Sequence, residues 1–354
     1  MGGRAKGLAG AAAAAVGVVA LVVAVAVGAR NAPADGTVEE TGRWPRVAPA
    51  DAGVDAAALE RLDGFVPERY PDLQALLVAR DGRLVLERYY GGTRPSERFD
   101  LQSVTKTVVS TLVGIASGDG KLSVDRPLAD VFPDQIAASR DPRVRSMPLR
   151  DLLRMTAGWS PASPVEFAFT IDPVRVLLGR ALEDRPGRRF VYDNGAYHLL
   201  SAAVTAATGE SAAAFARRRL WTPLQVADAP WQQDDSGLSL GPGGLYLQAR
   251  DLAKLGHLFL RGGRWGDRQI VPERYVREAT RPQSEGGSPG NTRYGYGWWI
   301  ASSPPGFQAV GYGGQTLLVV PSLDLVVVLL ARVQGQTDVG GLLFDVVDAV
   351  RETP

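Results

Sequence analysis

Ser103-Val104-Thr105-Lys106 is the stretch that decides the interpretation of this chain, because it places a hydroxyl three residues ahead of an amine. The apolar run that follows it predicts a buried helix over Val104–Ser117. Residues three apart share a helix face, so Ser103 and Lys106 are expected side by side. A hydroxyl needs a neighbouring base to act as a nucleophile at neutral pH, and a neutral lysine can serve as that base.

Lysine is rare in this chain, which gives Lys106 added weight. The sequence has 39 basic residues, and the lysines among them are Lys6, Lys106, Lys121 and Lys254. Arginine cannot accept a proton from a hydroxyl, because its guanidinium does not deprotonate in proteins. The chain therefore has a lysine at a position where arginine would not work. The four-residue pattern alone also occurs on solvated helix faces, so its surroundings have to support it.

Bulk composition limits the possible functions. A chain of 354 residues can build one large or two medium domains. A net charge of +1 gives no reason to expect a nucleic-acid partner. The absence of cysteine excludes disulfides and thiolate nucleophiles, and the two histidines, His198 and His257, disfavour a zinc site.

The N-terminus carries a membrane-targeting pattern. Arg4 and Lys6 precede an uncharged apolar run over residues 7–29, which is about long enough to span a bilayer. Residues 1–29 are therefore predicted to be either an uncleaved transmembrane anchor or a signal peptide removed near Ala32-Pro33-Ala34. Both interpretations place the rest of the chain outside the cytoplasmic membrane, anchored or secreted. Residues 30–50 are polar and proline-containing, which predicts a linker.

Strand signals occur at both ends of the remaining chain. An Asp-Gly pair between two apolar-rich runs predicts a hairpin near residue 81, and a closing helix is predicted over Val339–Arg351. The predicted strands are Leu73–Arg80, Arg83–Tyr90, Gln308–Tyr312, Thr316–Val320 and Leu325–Ala331. Helical patterns dominate between them, and Gln283–Arg293 is predicted to be a mobile surface loop. The pattern favours an α/β (α+β) fold over residues 51–352: an antiparallel sheet from both termini, flanked by helices, with an inserted helical lobe over roughly 111–235.

Two further motifs could contribute chemistry. Tyr192-Asp193-Asn194 precedes a predicted helix, where a tyrosine can pass a proton and an asparagine can hold a lysine or a substrate amide. Asp193 or Asn194 could equally cap that helix.

The other motif, Gly311-Tyr312-Gly313-Gly314-Gln315, lies between two predicted strands. A free backbone N–H on such a strand can bind a developing oxyanion, although a tight hairpin turn explains the same glycines.

Taken together and in this order, these motifs resemble the serine β-lactamase and penicillin-binding protein superfamily. The Tyr-x-Asn form is similar to class C β-lactamases and D-alanyl-D-alanine carboxypeptidase-like enzymes. Residues 152–158 resemble that family's "LLxxTSG" stretch, and residues 243–254 its "GGL…ARDLAK" stretch. Residues 102–106 and 313–315 are most similar to the branch of aminohexanoate-oligomer hydrolases and related esterases. The resemblance covers roughly residues 45–352.

The resemblance implies a β-lactamase/transpeptidase-like fold and acyl transfer through an acyl-enzyme. Ser103 would attack a carbonyl, and Lys106 with Tyr192 would take its proton and deliver it to the leaving group. Asn194 would position Lys106 or the substrate. The backbone N–H groups of Ser103 and Gln315 would form the oxyanion hole, and the mechanism would need no metal and no organic cofactor.

One departure from the family pattern bears on the substrate. The strand motif is usually Lys-Thr-Gly or His-x-Gly, whereas the matching positions here are Tyr312-Gly313-Gly314. The uncharged tyrosine favours a small ester, amide or peptide-like substrate over a β-lactam. A β-lactamase or D-alanyl-D-alanine carboxypeptidase is the alternative. A penicillin-binding sensor or scaffold ectodomain without turnover is the second alternative.

Several other residues resemble functional ones but fit structural roles better. Ser239 lies in a G-x-S-x-G pattern, yet a polar run precedes it and Pro-Gly-Gly follows, so neither the strand nor the helix of a nucleophile elbow is present. His198 and His257 fall on apolar helices and are predicted to pack in the interior. Glu166 is predicted to serve in a loop or at the surface.

Overall fold

One eight-stranded antiparallel sheet is built from both ends of the chain in the computed structural model of the protein. The structure describes residues 37–333 and 337–351. The strand order in this sheet is β2-β1-β12-β11-β10-β9-β8-β7, and β3–β4 and β5–β6 form two small separate pairs. The strands are β1 Leu73–Arg80, β2 Arg83–Tyr89, β3 Phe99–Asp100, β4 Tyr246–Leu247, β5 Arg264–Trp265, β6 Arg268–Gln269, β7 Ser284–Gly287, β8 Thr292–Tyr294, β9 Trp299–Ser302, β10 Pro305–Gly311, β11 Gln315–Val320 and β12 Leu325–Ala331.

The centre of the sheet is buried on both faces, which explains why its strands are nearly continuous apolar runs. Every residue of β12 is buried, and β12 pairs with β1 from Leu73↔Ala331 to Arg80↔Leu325. The predicted hairpin between β1 and β2 is present, with Asp81 at φ 50° and Gly82 at φ 71°, as this turn requires. The prediction of a sheet assembled from both termini is therefore confirmed.

Helices cover both faces of this sheet and fill the segment between its two halves. α3 and α11 contribute to the core on one face, and α2 and α13 to the core on the other. The helices are α1 Val38–Thr41, α2 Ala56–Arg69, α3 Thr105–Gly118, α4 Leu128–Val131, α5 Pro142–Arg145, α6 Leu149–Leu153, α7 Val165–Ala168, α8 Pro173–Leu178, α9 Asn194–Thr208, α10 Ala212–Ala216, α11 Ala249–Leu260, α12 Glu273–Ala279 and α13 Gly340–Arg351.

Residues 283–293 do not form the predicted mobile loop. They contain β7 and most of β8, which pair through Ser284↔Tyr294 and Gly287↔Thr292 at the edge of the sheet. The Ser284 hydroxyl also donates to the carbonyl of Arg154 at 2.9 Å. This hairpin is therefore an edge of the main sheet and is attached to the helical region.

The described part of the predicted 30–50 linker, from residue 37, is packed against the domain. Val38 is buried, and the Trp44 indole donates to the carbonyl of Arg250 at 3.0 Å. Arg46 forms a bridge with Leu84 of β2 and an ion pair with the buried carboxylate of Glu87. Apolar side chains and ion pairs thus make this segment part of the folded unit.

The predicted anchor or signal peptide over residues 1–29 lies outside the described residues. Within residues 37–333 and 337–351, no single helix has the length and apolar character needed to cross a membrane. One pair bent by 70°, Asn194–Thr208 with Ala212–Trp221, meets the length and composition requirements only when the two segments are counted together.

Candidate active site

Ser103 and Lys106 are brought together at the start of α3, as their spacing predicts. Ser103 lies in a single 3₁₀ turn, Gln102–Val104, that leads directly into the helix. Its side chain is partly buried, and Lys106 is only 1% exposed. The Lys106 Nζ atom donates to Ser103 Oγ at 2.9 Å, so the two atoms are close enough for a proton to pass between them.

Two further groups fix the amine of Lys106. Its Nζ donates to the carbonyl of Pro242 at 3.1 Å and lies 4.8 Å from the ring centroid of Tyr192. Pro242 immediately precedes the Gly243-Gly244-Leu245 motif, so this loop holds the lysine. The sequence gives no direct sign of this contact, because the group involved is a backbone carbonyl.

Tyr192 belongs to a wall of aromatic side chains beside the amine. Its ring stacks on Trp299 with centroids 5.9 Å apart and an angle of 15° between the planes. Phe190 and Tyr294 pack edge-on against the same indole. The Tyr192 hydroxyl makes no hydrogen bond within the part of the chain that the structure describes, so it is available to a bound substrate.

Asp193, and not Asn194, caps α9. Its carboxylate accepts from the backbone N–H of Gly195 at 3.0 Å and of Ala162 at 2.8 Å, and it forms an ion pair with Arg180 at 3.0 Å. Asn194 is the first residue of the helix, and its side chain makes no hydrogen bond among the described residues. The predicted role of Asn194 toward Lys106 therefore stays a prediction.

The segment that resembles "LLxxTSG" supports the Tyr-x-Asn loop. Met155, at φ 61°, accepts from the N–H of Val191 through its carbonyl at 2.8 Å and from the N–H of Asp193 through its sulfur at 3.3 Å. The hydroxyl of Tyr197, one turn into α9, donates to the carbonyl of Leu153 at 2.7 Å. This segment thus fixes the position from which Tyr192 projects.

The glycine motif is divided between a strand end and a turn. Gly311 ends β10, and Gln315 begins β11 and pairs with Gly311. The buried Gln315 side chain donates to the carbonyl of Ala331 at 2.7 Å and accepts from its N–H at 3.2 Å. Gly313 and Gly314, at φ 86° and 95°, form the turn between them, so the hairpin explanation of these glycines is correct.

The part of this motif that lies against the nucleophile is Gly311–Tyr312. A Cβ placed on Gly311 would lie 2.5 Å from the carbonyl oxygen of Leu101 and 3.1 Å from Cβ of Gln102. The backbone N–H groups of Ser103 and Tyr312 make no hydrogen bond within the described residues. Two free donors at this junction are what an oxyanion hole requires. Gln315 lies on the next strand, and the oxyanion role predicted for its N–H stays a prediction.

The residues judged to be structural are buried and bonded. Ser239 is fully buried, and its hydroxyl accepts from the N–H of Ala213 at 3.1 Å. His198 pairs with Asp234 at 2.8 Å and His257 with Glu39 at 2.5 Å. Both histidines therefore do more than pack, because each is hydrogen-bonded to a carboxylate.

Comparison with known proteins agrees with this geometry. The model of the beta-lactamase family matches residues 73–350, which is most of the chain. This span includes the strands at both ends and every residue of the candidate site. The chain belongs to the beta-lactamase family, whose members share the β-lactamase/transpeptidase-like fold.

Individual relatives have several different names. A 6-aminohexanoate-dimer hydrolase from Paenarthrobacter ureafaciens is 26% identical over 318 residues, covering 79% of this chain and 80% of that protein. Among solved structures, EstCE1, a hydrolase with promiscuous acyltransferase activity, has a TM-score of 0.71 at 17% identity and covers 84% of this chain and 99% of its own. The octameric penicillin-binding protein homologue from Pyrococcus abyssi has a TM-score of 0.64 at 18% identity, covering 81% and 77%. At these identities the structural matches show the fold alone.

Proposed function

We propose that this protein is a serine hydrolase that cleaves an ester or amide through an acyl-enzyme. The observation that carries the proposal is the 2.9 Å hydrogen bond between Ser103 Oγ and a lysine amine that is itself held by the carbonyl of Pro242. The protein is a hydrolase of the beta-lactamase family, and the name of its 6-aminohexanoate-dimer hydrolase relative supports an amide as one possible substrate.

The chemistry follows from these positions. Lys106, in its neutral form, takes the proton of Ser103 as Oγ attacks the substrate carbonyl carbon. The carbonyl oxygen becomes negative and is met by the N–H groups of Ser103 and Tyr312, in place of the Gln315 donor expected from the sequence. The intermediate collapses, and the alcohol or amine leaves with the proton from Lys106, passed through the Tyr192 hydroxyl. Water then attacks the acyl-serine by the same route, releasing the acid and restoring Ser103.

The strand beside the nucleophile favours an uncharged substrate. In the family pattern a lysine of this strand would meet the carboxylate of a penicillin or peptide. Here the end of β10 carries Ala309, Val310 and Gly311, and Tyr312 follows with a side chain that is 53% exposed. None of these four carries a charge. An ester or amide without a carboxylate next to the cleaved bond is therefore favoured over a β-lactam.

The test compares three substrates with one variant. We expect steady hydrolysis of p-nitrophenyl acetate and of the matching anilide, with much slower turnover of nitrocefin. Ser103→Ala is expected to lose the ester activity, and a fluorophosphonate is expected to add its mass to Ser103 alone. Efficient nitrocefin turnover would favour the β-lactamase alternative. A single burst of product without steady release would favour the alternative of a penicillin-binding sensor without turnover. Full ester activity in Ser103→Ala would contradict the proposal.

A further inference from the structure

The residue before the nucleophile has a strained backbone. Gln102 adopts φ 49°, in the left-handed region that favours glycine and, less strongly, asparagine and aspartate. A glutamine stays in this conformation only where its surroundings hold it there. Since Gln102 is bonded directly to Ser103, its conformation sets the directions of the Ser103 N–H and side chain.

The carboxylate of Asp100 supplies this restraint. Its Oδ1 accepts from the backbone N–H of Gln102 at 3.0 Å, and its Oδ2 accepts from the Gln102 side-chain amide at 2.7 Å. Tyr246 pairs with Asp100 between β3 and β4, and burial together with the nearby Asp100 carboxylate raises the pKa of the Tyr246 hydroxyl. Both oxygens of Asp100 are thus used to fold the chain back at Gln102.

The rest of the turn is confined on two sides. The N–H of Leu101 donates to the carbonyl of Leu245 at 2.9 Å, and Gly311 leaves room for the turn because any side chain there would meet Leu101. Leu245 belongs to the same loop as Pro242, the residue that holds Lys106. The turn therefore has a fixed place between β4 and β10, and only its internal conformation depends on Asp100.

We propose that Asp100 is a positioning residue whose carboxylate holds Gln102 in the left-handed conformation, so that the Ser103 N–H stays free beside that of Tyr312 and Oγ stays at the Lys106 amine. This inference rests on the proposed function. It assigns to Asp100 a role in the alignment of the nucleophile without contact to the substrate.

The decisive experiment is a rescue. Asp100→Ala is expected to lower kcat for the p-nitrophenyl ester about 100-fold, as misplacement of a reacting group by about 1 Å does, with little change in KM. The rate of labelling by fluorophosphonate should fall by a similar factor. Adding Gln102→Gly to Asp100→Ala should recover at least about ten-fold in both rates, because glycine takes a left-handed conformation without strain. A merely structural role for Asp100 would not produce this recovery.

Asp141 provides the matched control. Its carboxylate accepts from the backbone N–H of Arg143 at 2.9 Å and from the Arg143 side chain, the same two-residue pattern at a remote exposed turn. Asp141→Ala should leave kcat unchanged. Gln102→Val keeps Asp100 but puts a β-branched residue at this left-handed position, so it should also lower kcat; it serves as the test should Asp100→Ala fail to fold.

The outcomes separate the two proposals. The positioning role is overturned by wild-type kcat in folded Asp100→Ala or in Gln102→Val. It is also overturned if adding Gln102→Gly to Asp100→Ala recovers no activity. In either case, loss of activity in Ser103→Ala still supports the proposed hydrolase function. Retained activity in Ser103→Ala overturns both.

Discussion

Lys106 contacts three different groups: a hydroxyl, a carbonyl and an aromatic face. The carbonyl of Pro242 and the hydroxyl of Ser103 take two of its N–H directions, at 3.1 and 2.9 Å. In a neutral amine that donates to Pro242, the lone pair can then turn toward the Ser103 proton. Charge alone does not provide this arrangement, because a guanidinium offers donors and no acceptor.

We therefore expect Lys106→Arg to lose activity although it keeps the positive charge. The loss in kcat should be at least about 1,000-fold, as expected when one member of a nucleophile–base unit is removed. Hydrolysis of a p-nitrophenyl ester measures it, with the melting temperature as a check on folding. Lys254→Arg is the control: Lys254 is also buried, and its Nζ donates to the carbonyl of Gln225 at 3.0 Å, but it does not contact Ser103. Comparable rates in the two variants would argue against a proton-accepting Lys106.

At the scale of elements, the start of α9 connects stability to the position of Tyr192. Asp193 caps the helix, binds the 160–163 segment through Ala162 and pairs with Arg180, whose guanidinium lies 4.6 Å from the Trp159 ring centroid. The side chain of Asp193 is 3% exposed, so these partners replace the water contacts that it loses on folding. Loss of the Asp193 hydrogen bonds at this cap would therefore shift the adjacent Tyr192.

Asp193→Asn should therefore reduce both stability and activity. Breaking a buried ion pair from one side costs about 3 kcal/mol, which urea unfolding would measure. Asp172 offers a matched control, because it caps α8 through the N–H of Arg175 and pairs with that arginine in an exposed position. Asp172→Asn should cost about 1 kcal/mol or less. Equal losses in the two variants would show that burial of the Asp193 pair contributes nothing.

The elements that the sequence predicts well are those with a strong apolar period. β1, β2 and the C-terminal strands each contain a buried apolar run, and their boundaries agree with the predictions to within three residues. β7 and β8 were missed because Ser284–Gly287 and the residues after it are polar and glycine-rich, as in a loop. β8 pairs with β9, and β7 pairs with β8 at the sheet edge, so both strands depend on neighbours that their own residue pattern does not reveal.

The same reasoning explains which parts of the site were predicted. The Ser103–Lys106 contact depends on helix spacing alone, so the four-residue motif is enough to predict it. The carbonyl of Pro242 is 136 residues away from Lys106 in the sequence. Every residue has a backbone carbonyl, so the residue type at position 242 does not indicate this contact. The predicted oxyanion role of Gln315 stays a prediction for a related reason, since the position at which a strand ends and a turn begins decides which N–H remains free, and the sequence does not give that position.

On the scale of the whole molecule, the sheet separates two hydrophobic cores, and a few buried charges tie the outer segments to it. Glu87 of β2 accepts from Arg250 of α11 at 2.5 Å and also binds Arg46 of the N-terminal segment. Burial raises the pKa of this carboxyl, but hydrogen bonds from Arg250 and Tyr89 outweigh burial, so the pKa lies below its ordinary value. Glu39 makes the same kind of connection to His257 of α11.

Glu39 makes stability depend on pH in a defined range. Burial raises its pKa, but the hydrogen bond and charge of His257 outweigh burial and lower it from 4.5 to about 2. A lowered carboxyl pKa stabilises the folded state above pH 4.5, and this stabilisation is lost as the pH falls toward 2. With allowance for its 13% exposed side chain, we expect Glu39 to contribute about 2 kcal/mol to the free energy of unfolding at neutral pH.

Urea unfolding of the wild type and of Glu39→Gln at pH 6, 4.5 and 3 tests this. The difference in unfolding free energy should be largest at pH 6 and should shrink at pH 3. Glu68→Gln is the control, because Glu68 is exposed on α2 and forms no ion pair among the described residues. A difference between Glu39→Gln and wild type that stays constant over the three pH values would contradict the prediction.

The packed segment before residue 50 bears on where the gene can be cut for expression. The family match begins at residue 73, and a clone trimmed to that boundary would leave the Glu87 carboxylate without Arg46 and remove Val38 and Trp44 from the core. Even a start codon placed at residue 40 would discard the partner of His257. Recombinant versions that begin at or before residue 37 keep all of these contacts, and shorter ones should be poorly soluble for reasons unrelated to catalysis.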